Sequence, residues 1–415
     1  MVSGASRGAD LLQGGARFAA PGIFARLAAP GFEKILDAID RGLERGTIHG
    51  TLPDGTPHTL GGRAPGFETD FALHDWRALV RIATGGSVGL YQAWEAGEWS
   101  SSRIVELCAL FMDNAETLGN VARAKGPGRW IAKAAHWFNR NTKAGSQKNI
   151  HAHYDLGNAF YAPWLDPAMV YSSAMFTGRT GDLAEAQTAK IGAMLDRSGV
   201  GQGQRLLEFG CGWGALAMAA ADRGAHVDAI SLSDEQLAIC RERSAGMDGI
   251  DFRKQDYRDV RGQYDAIASV EMVEALGREY WPGFMDCIAR NLKPGGRAAI
   301  QYISIRDELF EDYAASADFI QAYIFPGGML IRTSEFRALA EKRGLAWTEQ
   351  MDFGLDYAET LKVWRENFDA ALSDGRLPES FDKRFRDLWR FYLQYCEGGF
   401  RAGGIDVHQV TLVKE

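Results

Sequence analysis

The segment LLEFGCGWGALA, Leu206 to Ala217, has the make-up of a ligand-binding turn. An apolar strand ends at Glu208, and Gly210, Gly212 and Gly214 lead into a helix. Glycines let a backbone approach a ligand closely, a helix start presents free amides, and an acid at the strand end can meet a ligand ammonium. The order E-x-G-x-G-x-G differs from the dinucleotide pattern G-x-G-x-x-G, and no Walker lysine follows. It suits S-adenosylmethionine (SAM), a nucleoside joined to an amino acid. A bare strand–helix turn is the alternative, and the later segments weigh against it.

Further groups fall where the same ligand needs them. SLSDEQ (Ser231–Gln236) and QDYRD (Gln255–Asp259) end two more strands. Asp256 suits the adenine amino group, and Tyr257 can stack. The strand that leads into SLSDEQ lacks the Asp or Glu commonly used to hold the ribose hydroxyls, unless Asp234 reaches back. Glu271 and Glu274 in SVEMVEALG lie among Val, Met, Ala and Leu, a setting for carboxylates that face a pocket. Adjacent Ser172 and Ser173 in MVYSSAMF raise the question of a nucleophile, but no histidine–carboxylate relay accompanies them. HYDLGN (His153–Asn158) precedes the first strand of the alternating region and reads as the cap of a lid helix.

The elements that must position these residues alternate from about Gly203. Strands are predicted at RLLEFG, HVDAISL, IDFRKQD, YDAIASVEM, RAAIQYISI, LAWTEQMDF and IDVHQVTLVK. Helices fall between most of them, at ALAMAAADRG, DEQLAICRERSAG, YWPGFMDCIARNL and SEFRALAEKRG. Such alternation predicts an α/β, doubly wound parallel sheet, with the last strand antiparallel at one edge. Arg306–Arg332 is too long for a plain connection and is expected to form a cap around 306–332. Upstream, a helix from Gly31, a hairpin turning at Asp54-Gly55, and a strand followed by helices predict a small α+β domain over 1–115. A linker over 116–150 and a second domain over 151–415 complete the division.

The chain has 415 residues and a net charge of −8, which argues against a nucleic-acid binder. The charge is uneven: Thr117–Tyr154 has no acid and seven cations. Five scattered cysteines lack C-x-x-C pairing and suit reduced thiols in a cytosolic protein. No apolar run approaches the roughly 18 residues of a membrane span, so membrane contact is expected to be peripheral.

HYDLGNAFYAPWLDPAMVYSSAMF, LLEFGCGWGALA, QDYRD, YIFPGGML and FGLDYAETLKVWRENF together resemble the cyclopropane fatty acid synthase family of SAM-dependent methyltransferases. The resemblance covers residues 150–415 closely and the first 115 more loosely. It implies a Rossmann-like class I methyltransferase fold. It also implies methyl transfer to a cis double bond in a phospholipid acyl chain, through a carbocation deprotonated by bound hydrogencarbonate. That ion's site would comprise Glu274, Tyr357, Ser173, Gln301 and the Ile303 amide. Ser173 stands where many members have cysteine, Gln301 where several have histidine, and Ala275 where relatives often have histidine. Because the base decides which proton leaves, these departures keep a methylene-branched or methylated unsaturated product open beside the cyclopropane. For SAM, the resemblance places Tyr171 and Ser172 at the methionine end, with Gly210 and Gly212 beneath. Ser231, Leu232 and Gln236 would lie along the ribose, Asp256 and Tyr257 at the adenine, and Val270 at the rim.

The acid-free segment, with Trp130, Ile131, Trp137 and Phe138 among its cations, suits either an anionic membrane surface or packing against the sheet domain. The expected partner is therefore a membrane of unsaturated phospholipid, met from the cytoplasmic face. The N-terminal domain is assigned lipid engagement or homodimer contacts by resemblance. A small-molecule methyltransferase and a catalytically silent lipid binder are the competing readings.

Overall fold

The computed structural model describes residues 29–119, 156–176, 181–316 and 318–415. The acid-free segment's aromatic residues and cations, together with His153 and Tyr154, lie outside the described residues. Contacts divide the chain into two compact units, the first joining 29–119 to 308–326 and 381–404.

In the first unit, four strands stand in the order β2-β1-β3-β4: β1 Thr47–Thr51, β2 Pro57–Gly61, β3 Glu68–Leu73 and β4 Trp99–Ser100. The predicted hairpin is present, and Asp54 Oδ1 accepts from the Thr56 amide (2.9 Å) across its turn. The strand-then-helix reading of FETDFALHDWRALVRIATGG also holds, as β3 followed by the helix Arg77–Glu95. Residues 308–326, expected as a cap, contribute two short helices to this unit. Tyr91 packs against Phe319, Tyr323 and Phe391, with ring centroids about 5 Å apart. Asp318 caps the second short helix and accepts hydrogen bonds from Ser87 and Tyr395 (2.8 and 2.7 Å). The grouping is therefore discontinuous in sequence because aromatic packing, not chain order, holds it together.

The helix Lys383–Arg401 turns Phe385, Leu388, Trp389, Phe391 and Tyr392 inward. It comes so close to the helix Ile104–Asp113 that a Cβ on Gly398 would lie 2.6 Å from Cys108 Cβ and from the Val105 carbonyl oxygen. Replacing Gly398 with Leu is expected to cost about 2–3 kcal/mol through overpacking, read as a lower midpoint in urea denaturation. An unchanged midpoint would show that the two helices can separate freely.

The second unit holds a seven-stranded sheet in the order β10-β11-β9-β8-β5-β6-β7. These strands are β5 Arg205–Phe209, β6 His226–Ser231, β7 Ile250–Lys254, β8 Tyr264–Val270, β9 Leu292–Ile305, β10 Leu345–Asp352 and β11 Ile405–Lys414. β5 to β9 are parallel, as the alternation predicts. β11 is antiparallel, but it does not form an edge: it lies between β9 and β10. The reason is burial. Val407–Leu412 is buried along its whole length, whereas β10 exposes Glu349, Gln350 and Asp352 and so tolerates the edge. His408 ties the three strands across the sheet, hydrogen-bonding Ser304 on β9 and Asp352 on β10, both at 2.6 Å. Beneath the glycine turn, Leu206, Leu216, Val227, Ala229, Leu237 and Ala268 form one core. Each large aliphatic side chain removed from water there contributes about 2 kcal/mol, which holds the strand ends in place.

Candidate active site

The parallel strands end on one rim, where most of the expected residues gather. β5 delivers Glu208, and the chain then turns through Gly210 (φ 72°), Gly212 (φ 51°) and Gly214 (φ 85°) into the helix Ala215–Asp222. All three angles fall in the left-handed region that glycine tolerates. A Cβ at Gly210 would press on Met272 Cγ at 3.0 Å, and one at Gly214 on Cys240 Sγ at 3.1 Å, whereas one at Gly212 would meet nothing within 4 Å. Gly212 therefore offers the open backbone. Glu208 is 4 % exposed, and its Oε2 has no hydrogen-bond partner among the described residues. Burial pushes its pKa up to about 8, against the attraction of Lys190. A buried acid with an unpaired oxygen, beside an open glycine turn, fits the ammonium end of SAM.

β6 ends at Ser231, whose hydroxyl donates to Gln236 Oε1 (3.1 Å) and accepts from the Ser233 amide (3.1 Å). Leu232 is half-buried beside them. Asp234 pairs with Lys254 at 2.5 Å. After β7, Asp256 caps a short 3-10 turn and holds the Arg258 guanidinium at 2.8 and 2.5 Å. The Tyr257 ring packs at steep angles, 61° and 65°, against Phe209 and Phe284. Val270 is half-buried against the core at the end of β8.

The serine segment crosses this rim. Ser172 accepts from Lys190 Nζ at 2.6 Å, and Tyr171 packs against Tyr161, Trp164 and Trp364 at 5.2–5.8 Å. The Ser173 hydroxyl donates to the Ala174 carbonyl (3.0 Å), while its amide donates to Glu271 Oε1 (2.9 Å). Neither hydroxyl is bonded to a histidine–carboxylate relay among the described residues.

Glu271 is the centre of the arrangement. Its Oε1 also accepts from Gln301 Nε2 (2.8 Å), and its Oε2 accepts from the Tyr357 hydroxyl (2.7 Å). The orientation of Gln301 is enforced from behind. The Arg197 guanidinium, which can only donate, binds Gln409 Oε1 (3.1 Å), so the Gln409 amide nitrogen donates to Gln301 Oε1 (3.0 Å). The Gln301 nitrogen must then face Glu271. Glu274 stands apart: its Oε1 accepts from the Ile303 amide, and its Oε2 has no partner among the described residues. Desolvation, and then the neighbouring Glu271 charge, push its pKa up to about 8.

Of the five residues implied for hydrogencarbonate, three converge on the Glu271 carboxylate, which takes the Ser173, Gln301 and Tyr357 donors, and the Ile303 amide serves Glu274. A second anion would find its donors taken and would meet a like charge. The residues present do not fit a bound hydrogencarbonate.

Two participants escaped the sequence reading. Glu271 was read as facing a pocket but given no role; an acid at φ 47°, where glycine is favoured, is its structural signature. Lys190 sits 2 % exposed on the helix Leu183–Ser198, within electrostatic reach of Glu208, Glu271 and Asp166, with its pKa pushed down to about 8 by burial. Its sequence signal was a lysine on the apolar face that carries Ile191 and Met194.

The model of the family described as mycolic acid cyclopropane synthetase matches residues 141–410. Tuberculostearic acid methyltransferase UfaA1 of Mycobacterium tuberculosis is 37% identical over 83% of this chain and 83% of its own length. Cyclopropane-fatty-acyl-phospholipid synthase of Escherichia coli K12 is 32% identical over 85% and 89%. The solved structure of mycolic acid cyclopropane synthase CmaA1, complexed with SAH and CTAB, superimposes with a TM-score of 0.59 at 28% identity, covering 65% of this chain and 98% of that one. With the sheet order, the glycine turn and these matches in agreement, the chain belongs to the mycolic acid cyclopropane synthetase family of SAM-dependent methyltransferases.

Proposed function

We propose that the chain transfers a one-carbon unit from SAM to the cis double bond of an unsaturated phospholipid acyl chain and forms a cyclopropane ring. The observation that carries this reading is the continuity of an aromatic wall with a bound carboxylate. Tyr171 packs on Trp364, Trp364 on Tyr357, and Tyr357 donates to Glu271. An alkene is a weak nucleophile whose attack leaves a cation on the chain, so it needs aromatic faces, excluded water and a base nearby.

When bound, SAM supplies an electrophilic methyl group on a sulfonium. Glu208 would pair with its ammonium, and Gly210 and Gly212 would let the backbone lie beneath it. Tyr171 and Ser172 would border the methionine end. Ser231, Leu232 and Gln236 would line the ribose side, Asp256 and Tyr257 the adenine side, and Val270 the rim. Glu274, carrying its proton at neutral pH, keeps the Ile303 amide engaged and leaves Glu271 as the charged member of the pair.

A methylene-branched or methylated unsaturated product is the second reading. Ser173, Gln301 and Glu271 favour it, as does a 37% identical relative named a methyltransferase rather than a cyclopropane synthase. No helix among the described residues is long and apolar enough to cross a membrane. We assign lipid contact to peripheral binding at the inner face of a membrane, through the basic aromatic segment over 116–150. Homodimer contacts are assigned to the N-terminal unit.

The test is incubation with SAM and vesicles of cis-unsaturated phospholipid, followed by mass spectrometry of the fatty esters. A gain of CH2 with loss of the alkene signal supports the ring, and a gain with the alkene retained supports branching. Turnover of soluble acceptors alone would overturn the lipid assignment.

A further inference from the structure

We propose that Glu271 is the resident base of this site: its carboxylate stands where the family's ion is expected and receives the substrate proton on Oε2. The inference rests on the reading that the chain methylates a double bond, but its geometry stands independently.

Three observations converge. First, a carboxylate has about four lone-pair positions. The Ser173 amide and Gln301 take two on Oε1, and Tyr357 takes one on Oε2, which leaves one on Oε2 for a proton. Second, the backbone at Glu271 is held at φ 47°, a conformation that costs a side-chain-bearing residue about 1–2 kcal/mol. The Glu271 amide donates to the Gln301 carbonyl (2.9 Å) while its carboxylate accepts from the Gln301 side chain, so one residue clasps both ends of the strained one. Third, the Arg197–Gln409–Gln301 chain presents only a donor to Glu271, which selects the ionised carboxylate. Glu271 is also half-buried rather than sealed, as a base that meets substrate must be.

The step balances without another reactant. The π pair of the double bond forms a carbon–carbon bond to the transferred methyl, and the carbon–sulfur pair leaves with sulfur. The cation left on the neighbouring carbon is quenched when a C–H pair of the new methyl closes the ring. That proton passes to Glu271 Oε2. If the C–H pair comes from the chain instead, an alkene forms and the same oxygen takes the proton.

Three forms of the full chain are compared in carbon-dioxide-depleted buffer, with and without added hydrogencarbonate, using SAM and cis-unsaturated vesicles. Wild type is expected to turn over equally in both buffers. Glu271→Gly, which suits the backbone angle and opens the donors, is expected to lose about 10²-fold or more and to recover with hydrogencarbonate. Glu271→Gln, which keeps the shape, is expected to lose as much without recovery. A wild type that needs hydrogencarbonate, or either variant retaining wild-type turnover without it, overturns the assignment. A readout free of turnover accompanies this: carbon-13 NMR of labelled hydrogencarbonate is expected to show binding to Glu271→Gly and none to wild type, and binding to wild type overturns the proposal. If wild type leaves the vesicles unchanged in both buffers, the substrate reading fails, and the NMR result still decides the role of Glu271.

Discussion

Glu208→Gln is expected to weaken S-adenosylhomocysteine binding by about 10²-fold while leaving the fold intact. The argument starts from an imbalance. Glu208 is buried, one of its oxygens has no partner among the described residues, and its pKa is pushed up to about 8. A ligand ammonium at that oxygen pairs the charge, and removing one partner of a buried ion pair costs about 3–5 kcal/mol. The lower end of that range amounts to roughly 10²-fold in affinity. Glutamine keeps the size and one acceptor, so the effect isolates the charge. The same imbalance predicts the proton traffic. Below pH 8 the free protein holds a proton on Glu208 that the ligand must displace, so binding tightens as pH rises toward 8 and releases a proton. Calorimetry in two buffers of different ionisation heat reads that release directly. Affinity within about threefold of wild type in Glu208→Gln, or identical heats in the two buffers, would mean that Glu208 serves only the strand.

The sheet was legible because parallel strands buried on both faces read as continuous apolar runs. VDAIS and DAIASV declare themselves, and the glycine turn follows them. The position of β11 was not legible. β10 and β11 both alternate, and the choice of which is covered depends on pairing with β9 across more than a hundred residues. The site divides the same way. Glu208, Gly210, Gly212 and Ser231 follow strand ends and could be placed from sequence. Glu271 could be seen as pocket-facing, but its role depends on Ser173, Gln301 and Tyr357 arriving from three distant segments. The resemblance directed attention to Glu274 three residues on. Lys190 was missed because one lysine on an apolar helical face reads as a small slip in the pattern. Only the fold reveals the carboxylates around it.

The free protein is expected to lose stability as pH rises from about 5 to 8, the opposite of a protein governed by salt-bridged carboxylates. Glu208 and Glu274 have ordinary values of 4.5, and the folded chain raises both to about 8. Between those values the folded chain holds protons that the unfolded chain has already released. By linkage, stability is then greatest near or below pH 4.5, falls through the window, and stops falling above 8. Each group contributes up to about 1.4 kcal/mol per pH unit, and Glu271, also raised by desolvation, adds to the same side. Lys190 acts with the other sign but in another window. Its pKa is lowered from 10.5 to about 8, so it restores stability only above pH 8. Urea denaturation at pH 5.5 and pH 8 tests this, with a lower midpoint expected at pH 8. Glu208→Gln and Glu274→Gln should each flatten the difference, and combining them should leave only the share carried by Glu271. A wild-type midpoint that is level or rises over this interval would show that water reaches these carboxylates. If the midpoint falls as expected, the site stores part of its burial cost in two protons, and binding SAM, by pairing Glu208, would relieve one of them.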